Sequence, residues 1–142
     1  MKELIIEILK EIELDKEYVK LCQNFTDFDC SINLNKTEVA PIIKSFDSDF
    51  NYIPKDKTFL KETFFKEYSI RFFIGFKNGI IGFGFLVWKE GDINKFYKGN
   101  LHTLSKEIDS EFEKKVKYNF PIATSLVDFE QILTKIFSLF RA

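Results

Sequence analysis

The sequence predicts an α+β fold: a small antiparallel sheet around a central β-hairpin (about 68–76 and 81–89), packed by N-terminal and C-terminal amphipathic helices. Three observations predict it. Apolar residues recur at helical spacing towards both ends of the chain, an Asn-Gly pair separates two apolar runs in the middle, and strand and helix patterns do not alternate as a parallel sheet requires. A length of 142 residues suits one domain, 1–142, which buries roughly two thirds of the surface its unfolded chain exposes.

At the N-terminus, Leu4, Ile5, Ile8, Leu9 and Ile12 share one helical face over residues 2 to about 13, with charges on the other face. Asp15 to Leu21 reads as a short second helix. Asn33 to Lys36 and Asp47 to Tyr52 read as turns or loops. Between them Val39, Ile42, Ile43 and Phe46 lie on one short helical face around Pro41, which a helix tolerates in its first turn. Thr58 to Tyr68 mixes residues that suit a strand with Lys and Glu at helical spacing, so a short helix or an irregular lead into a strand is expected.

The stretch FKNGIIGFGFLVW, residues 76 to 88, carries the strongest local signal. Both central positions of a type I′ turn need positive φ, which Asn78 and Gly79 accept. A two-residue turn there pairs Phe76 with Ile81, Ile74 with Phe83, Phe72 with Phe85 and Ile70 with Val87, giving one wholly apolar face. The other face pairs Gly75 with Gly82, Phe73 with Gly84, Arg71 with Leu86 and Ser69 with Trp88. Glycine weakens a strand, so a helix, an aromatic ring or a partner is expected against Gly75, Gly82 and Gly84. A phosphate-cradling loop would need a helix directly after the glycines, whereas the chain runs on through Phe85, Leu86, Val87 and Trp88 as strand. One or two further strands are expected, from Cys30 to Leu34 or from Phe59 to Phe65.

Glu90 to Asn100 reads as a loop. Leu101, Leu104, Ile108, Phe112 and Val116 follow at roughly helical intervals, and a capping box at Ser110-Glu111-Phe112-Glu113 suggests two short helices. A second box, Ser125-Leu126-Val127-Asp128, opens a helix whose stripe is Phe129, Ile132, Leu133, Ile136, Phe137 and Phe140.

Composition narrows the function classes. With 21 basic and 22 acidic side chains the formal charge is −1, so no global positive field draws the chain to nucleic acid or an anionic bilayer. No run approaches the ~20 apolar residues of a membrane span. Glu3, Glu7 and Glu11 interrupt what a signal peptide would keep uncharged, so a cytoplasmic location is expected. Cys22 and Cys30 make no disulfide framework, and each is expected to be a small buried hydrophobe. The many Lys, Ile, Asn and Phe residues fit an AT-rich, bacterial coding sequence.

No catalytic chemistry assembles in the sequence. His102 is the single histidine and has no nucleophile in a recognisable motif beside it, which leaves a helix-start surface or capping role. One histidine and two cysteines are too few for a zinc site. The pairs Asp27 with Asp29 and Asp47 with Asp49 lack the glycine and terminal glutamate of a calcium loop, and read as solvated loop acids. No enzyme activity, cofactor or metal is therefore expected.

Binding is the remaining signal. Between Cys22 and Pro54 the acids Asp27, Asp29, Glu38, Asp47 and Asp49 outnumber Lys36 and Lys44 by three, interleaved with Phe28, Phe46, Phe50 and Tyr52. Such a segment suits contact with a basic protein, carboxylates steering and rings anchoring, although the same rings suit a core. Lys89 to Lys98, with Asp92, Lys95, Phe96 and Tyr97, is a second candidate contact region. The candidate partner-binding residues are thus Asp27, Phe28, Asp29, Asp47, Asp49, Phe50, Tyr52, Asp92, Phe96 and Tyr97. An alternative is a small-molecule module, with helices over the glycine-thinned sheet enclosing a Phe-lined apolar pocket.

The N-terminal amphipathic helix, the hairpin SIRFFIGFKNGIIGFGFLVW and the closing YNFPIATSLVDFEQILTKIFSLF together resemble the small cytoplasmic immunity proteins of bacterial polymorphic toxin systems. The resemblance implies a single α+β domain that neutralises a cognate toxin by direct binding. It assigns no individual residue a role.

Overall fold

The computed structural model describes residues 2–140, without the side chains of Leu4, Phe65 and residues 93–95; the expectations for Leu4 and Lys95 lie outside what is described. The chain is an α+β fold with six α-helices and a five-stranded antiparallel sheet among the described residues.

Helices α1 (Lys2–Glu11) and α2 (Leu14–Asn24) are joined at Glu13, which turns the chain at φ 56. Leu9 of α1 is buried, while Ile8 of the expected stripe remains 51% exposed. A 3₁₀ turn at Phe28–Cys30 stands at the start of the strand expected from Cys30 to Leu34, which does not form. The Asp27 carboxylate accepts the Cys30 N–H there, offering the backbone a local bond in place of a ladder.

Helix α3 (Lys36–Phe46) is capped by Asn35, whose side chain accepts the Glu38 N–H at 2.9 Å. Pro41 occupies its second turn rather than the first. The Thr37 carbonyl thereby loses its donor, and because both residues are exposed, water can serve instead.

Strands β1 (Asn51–Ile53), β2 (Thr58–Phe65), β3 (Tyr68–Gly75), β4 (Gly82–Lys89) and β5 (Asp92–Asn100) form a meander in chain order. The β3–β4 register is the expected one, from Ser69 opposite Trp88 to Gly75 opposite Gly82. At its tip Asn78 and Gly79 take φ 57 and 76, and the Ile80 N–H donates to the Lys77 carbonyl at 3.0 Å. The pairing nevertheless stops at Gly75/Gly82, short of the expected Phe76/Ile81. The segment before the last helix captures the tip: Ile81 N–H donates to Pro121 O, and Gly79 O accepts Ala123 N–H.

Of two further strands, one stands where it was expected, Phe59 to Phe65, and one lies where a loop was expected. Thr58 to Phe65 is regular strand, joined to β3 by Lys66 and Glu67, with Lys66 at φ 54. The region read as a loop from Glu90 to Asn100 is the edge strand β5, entered through Gly91 at φ 81. Its Lys and Asn residues obscured the alternation, and an edge strand is where such residues are tolerated.

Helix α4 (Leu101–Ile108) opens on a reciprocal box, Asn100 accepting Thr103 N–H while Thr103 Oγ1 accepts Asn100 N–H. The box expected at Ser110 does not form: the residue that precedes α5 (Phe112–Lys115) in the cap position is Glu111, and its side chain makes no cap bond. In α6 (Leu126–Phe140) Ser125 Oγ does accept the Asp128 N–H, but the Asp128 carboxylate reaches back to the N–H and hydroxyl of Thr124 instead of Ser125.

The helices cover one face of the sheet. Phe59, Ile74, Phe83 and Phe85 of that face join Phe129, Ile132, Leu133 and Ile136 of α6 and Leu101 and Leu104 of α4 in one core. Each fully buried Phe or Leu contributes about 2–3 kcal/mol from area removed from water. Helix α4 comes close enough that a Cβ on Gly99 would lie 3.3 Å from Leu104 Cγ.

Candidate functional site

The opposite face of the sheet carries the candidate site. Strand alternation and register set its rows: Leu60, Phe73, Gly84 and Asn100, then Glu62, Arg71, Leu86 and Lys98, then Phe64, Ser69, Trp88 and Phe96. An antiparallel sheet packed on one side ordinarily turns polar residues to water on the other. Here the open face carries Leu60, Phe64, Phe73, Leu86, Trp88 and Phe96 among the charged Glu62, Arg71 and Lys98.

Phe64 is 66% and Phe96 61% exposed in the row of the single tryptophan, Trp88, with Phe96 directly opposite it and Phe64 on the far side of Ser69. The Arg71 guanidinium carbon lies 4.8 Å from the Trp88 ring centroid, and Arg71 Nε is 3.3 Å from Glu62 Oε2. The carboxylate on one side and the ring on the other hold the guanidinium over the patch. Arg71, Leu86, Trp88, Phe96 and Lys98 line a shallow hollow of about 550 Å³.

The glycines form the other end of this face. A Cβ on Gly82 would meet nothing within 4 Å, and one on Gly75 only Thr58 Cγ2 at 3.9 Å. Gly84 is closer, with the Gly99 carbonyl oxygen 3.1 Å from such a Cβ. The helix or ring expected over Gly75 and Gly82 is thus not supplied by this chain among the described residues.

The sequence-chosen contact residues are dispersed. Phe96 is on the open face, whereas Tyr97, its neighbour in β5, turns to the core side opposite Val87. Asp92 begins β5 opposite Lys89. Asp27, Phe28 and Asp29 are exposed in the 3₁₀ turn, where Phe28 leans on Tyr118 at 5.6 Å. Phe50 is a core residue, 1% exposed, and is withdrawn from any contact surface. Asp47 is paired with Lys61, Asp49 is exposed, and Tyr52 is half-buried against Phe59 with Lys36 above its ring at 5.0 Å.

Phe64 has no counterpart among the sequence-chosen contact residues, because β2 is ambiguous in sequence and the row Phe64 belongs to is set only by its pairing with β3. Phe73, Leu86 and Trp88 lie on the thinned face that the hairpin register assigns them.

His102 lies on the second residue of α4 between the rings of Phe112 (5.9 Å) and Phe120 (5.6 Å), with Nε2 3.5 Å from Glu113 Oε1 but outside hydrogen-bond geometry. Lys106 first and His102 second hold the Glu113 carboxyl below its usual value. Cys22 is buried, and burial pushes its thiol up to about 12. Cys30 is exposed, contrary to expectation, its thiol raised chiefly by the Asp27 carboxylate. Among the described residues no group of three His, Cys, Asp or Glu could hold a metal ion, and no helix is long and apolar enough to cross a membrane.

No family model matches the chain, and neither the curated proteins nor the solved structures contain a match to it.

Proposed function

We propose that this chain is a non-enzymatic binding protein, an immunity-type inhibitor that neutralises a toxin by direct contact, and that the open face of the sheet is its contact surface. One observation carries the reading: Phe64, Trp88 and Phe96 share one cross-strand row on an uncovered face, Trp88 directly beside Phe96 and Phe64 beyond Ser69, with Arg71 held over the tryptophan. Contiguous exposed apolar surface on a soluble fold marks an interaction site, and Trp, Arg and Phe are the residues that dominate interface energetics.

The acidic segment suggested a basic partner. The sheet face instead offers Arg71 and Lys98 around an apolar centre, which suits a partner presenting carboxylates around an apolar knob. Asp27 and Asp29 are then peripheral.

Co-expression with the product of the adjacent open reading frame tests the function. A product that is toxic alone and harmless with this protein is the expected outcome, with protection lost in the Phe64→Ser/Phe96→Ser variant. A product that stays toxic in the presence of this protein removes the immunity reading.

A further inference from the structure

A second hollow, of about 180 Å³, lies on the helical side of the sheet and does not belong to the open face. Its walls are six phenylalanines: Phe72 and Phe83 from the sheet, Phe46 and Phe50 from the end of α3 and the loop beyond it, and Phe137 and Phe140 from α6. Elsewhere the core is largely Leu and Ile, so an all-phenylalanine wall is a local departure. Lys61 and Asp47 complete the lining.

We propose that this pocket is a binding site for a single-ring aromatic molecule bearing an anionic oxygen, such as a carboxylate. Size is the first argument. A cavity of about 150 Å³ lined by apolar side chains holds one benzene, so this volume fits one ring and a small substituent.

The walls are the second. Phe46 stacks on Phe137 at 5.0 Å and 3°, Phe83 on Phe140 at 5.9 Å and 17°, and Phe137 meets Phe50 and Phe83 edge to face at 6.0 and 6.1 Å. Each ring is fixed by another, which leaves faces and edges preorganised for an incoming ring.

The polar corner is the third. Lys61 stands on the core-facing row of β2, directly opposite Phe72, where an apolar residue would pack. It is ion-paired with Asp47, whose carboxylate also accepts the Asp49 N–H at 3.0 Å. An ammonium has three donors and this contact uses one, which leaves capacity for a ligand oxygen. The pair is only about a quarter exposed, where a charge-assisted bond counts for more than in open water. Phe140, 39% exposed, places part of the lining in contact with solvent.

Charge selectivity separates this reading from the competing one, because ring faces and a carboxylate also attract cations. The probes are benzoate, benzylammonium and neutral benzyl alcohol, titrated to millimolar concentration into the ¹⁵N-labelled full chain and followed by amide chemical shifts. Benzoate is expected to move the signals of Asp47, Lys61, Phe72 and Phe137 and to bind at least about tenfold tighter than benzylammonium. Lys61→Met should abolish that preference while benzyl alcohol binds both proteins alike. No shift at these residues, benzylammonium binding as tightly as benzoate, or shifts confined to Trp88 and Phe96 would each overturn the proposal on the wild-type protein alone, whether or not the variant folds. None of these outcomes bears on the toxin-contact reading, which concerns the other face.

Discussion

A methyl group added at Gly79 would meet the Ala123 carbonyl oxygen at 2.8 Å and that of Ile32 at 2.9 Å, on a backbone already at φ 76. Gly82, three residues on, has open space in the same test. Gly79→Ala should therefore cost about 2 kcal/mol or more in urea unfolding, whereas Gly82→Ala should be neutral or slightly stabilising, since alanine is the better strand residue. Equal losses at the two sites would mean that something covers Gly82. Cys22 offers a pH handle. Burial carries its thiol from 9.0 to about 12, so between those values the folded state keeps a proton that the unfolded chain has released. Buried Tyr18 shifts in the same direction. Unfolding free energy should fall as pH rises through that window and be level below it with respect to these groups; a flat profile would contradict their burial. At this scale the sequence was only partly legible. The Asn78-Gly79 geometry could be read because few residues accept positive φ, but Phe50 and Phe96 carry identical side chains, and only the strand or loop around each decides which is core.

Helix α6 begins at a cap that works and α5 at one that does not. Ser125→Ala removes the acceptor of the Asp128 N–H and should lower stability by about 1 kcal/mol, read as a fall in Tm; Ser110→Ala should leave it unchanged. Equal effects would refute the assignment. The same contrast explains what could be foreseen of the elements. Alternation and a two-residue turn fixed the β3–β4 register in advance. Strand β2 was harder, because its turn uses Lys66 at φ 54, with neither Gly nor Asn to mark it. Strand β5 was hidden by Lys98 and Asn100, whose outward positions mimic a loop until the neighbouring strand is known.

For the whole molecule, the decisive property is which face of the sheet the helices cover. The hairpin register marks one wholly apolar face, which is the covered one, but how much apolar surface the other face gathers depends on the pairing of β2 and β5, which no local pattern encodes. Phe64 and Phe96 are mostly exposed, so Phe64→Ser/Phe96→Ser should change folding stability by no more than about 0.5 kcal/mol per site while abolishing partner binding. A large loss of stability would make these rings structural instead. The single tryptophan lies in this patch and reports on it directly. The most direct measurement is the emission of Trp88 as the purified product of the adjacent open reading frame is titrated in. Burial of the open face in the complex should shift that emission to shorter wavelength and protect it from a soluble quencher, with both effects lost in Phe64→Ser/Phe96→Ser. A complex that forms while Trp88 emission and quenching stay as in the free protein would contradict the assignment of the sheet face as the contact surface.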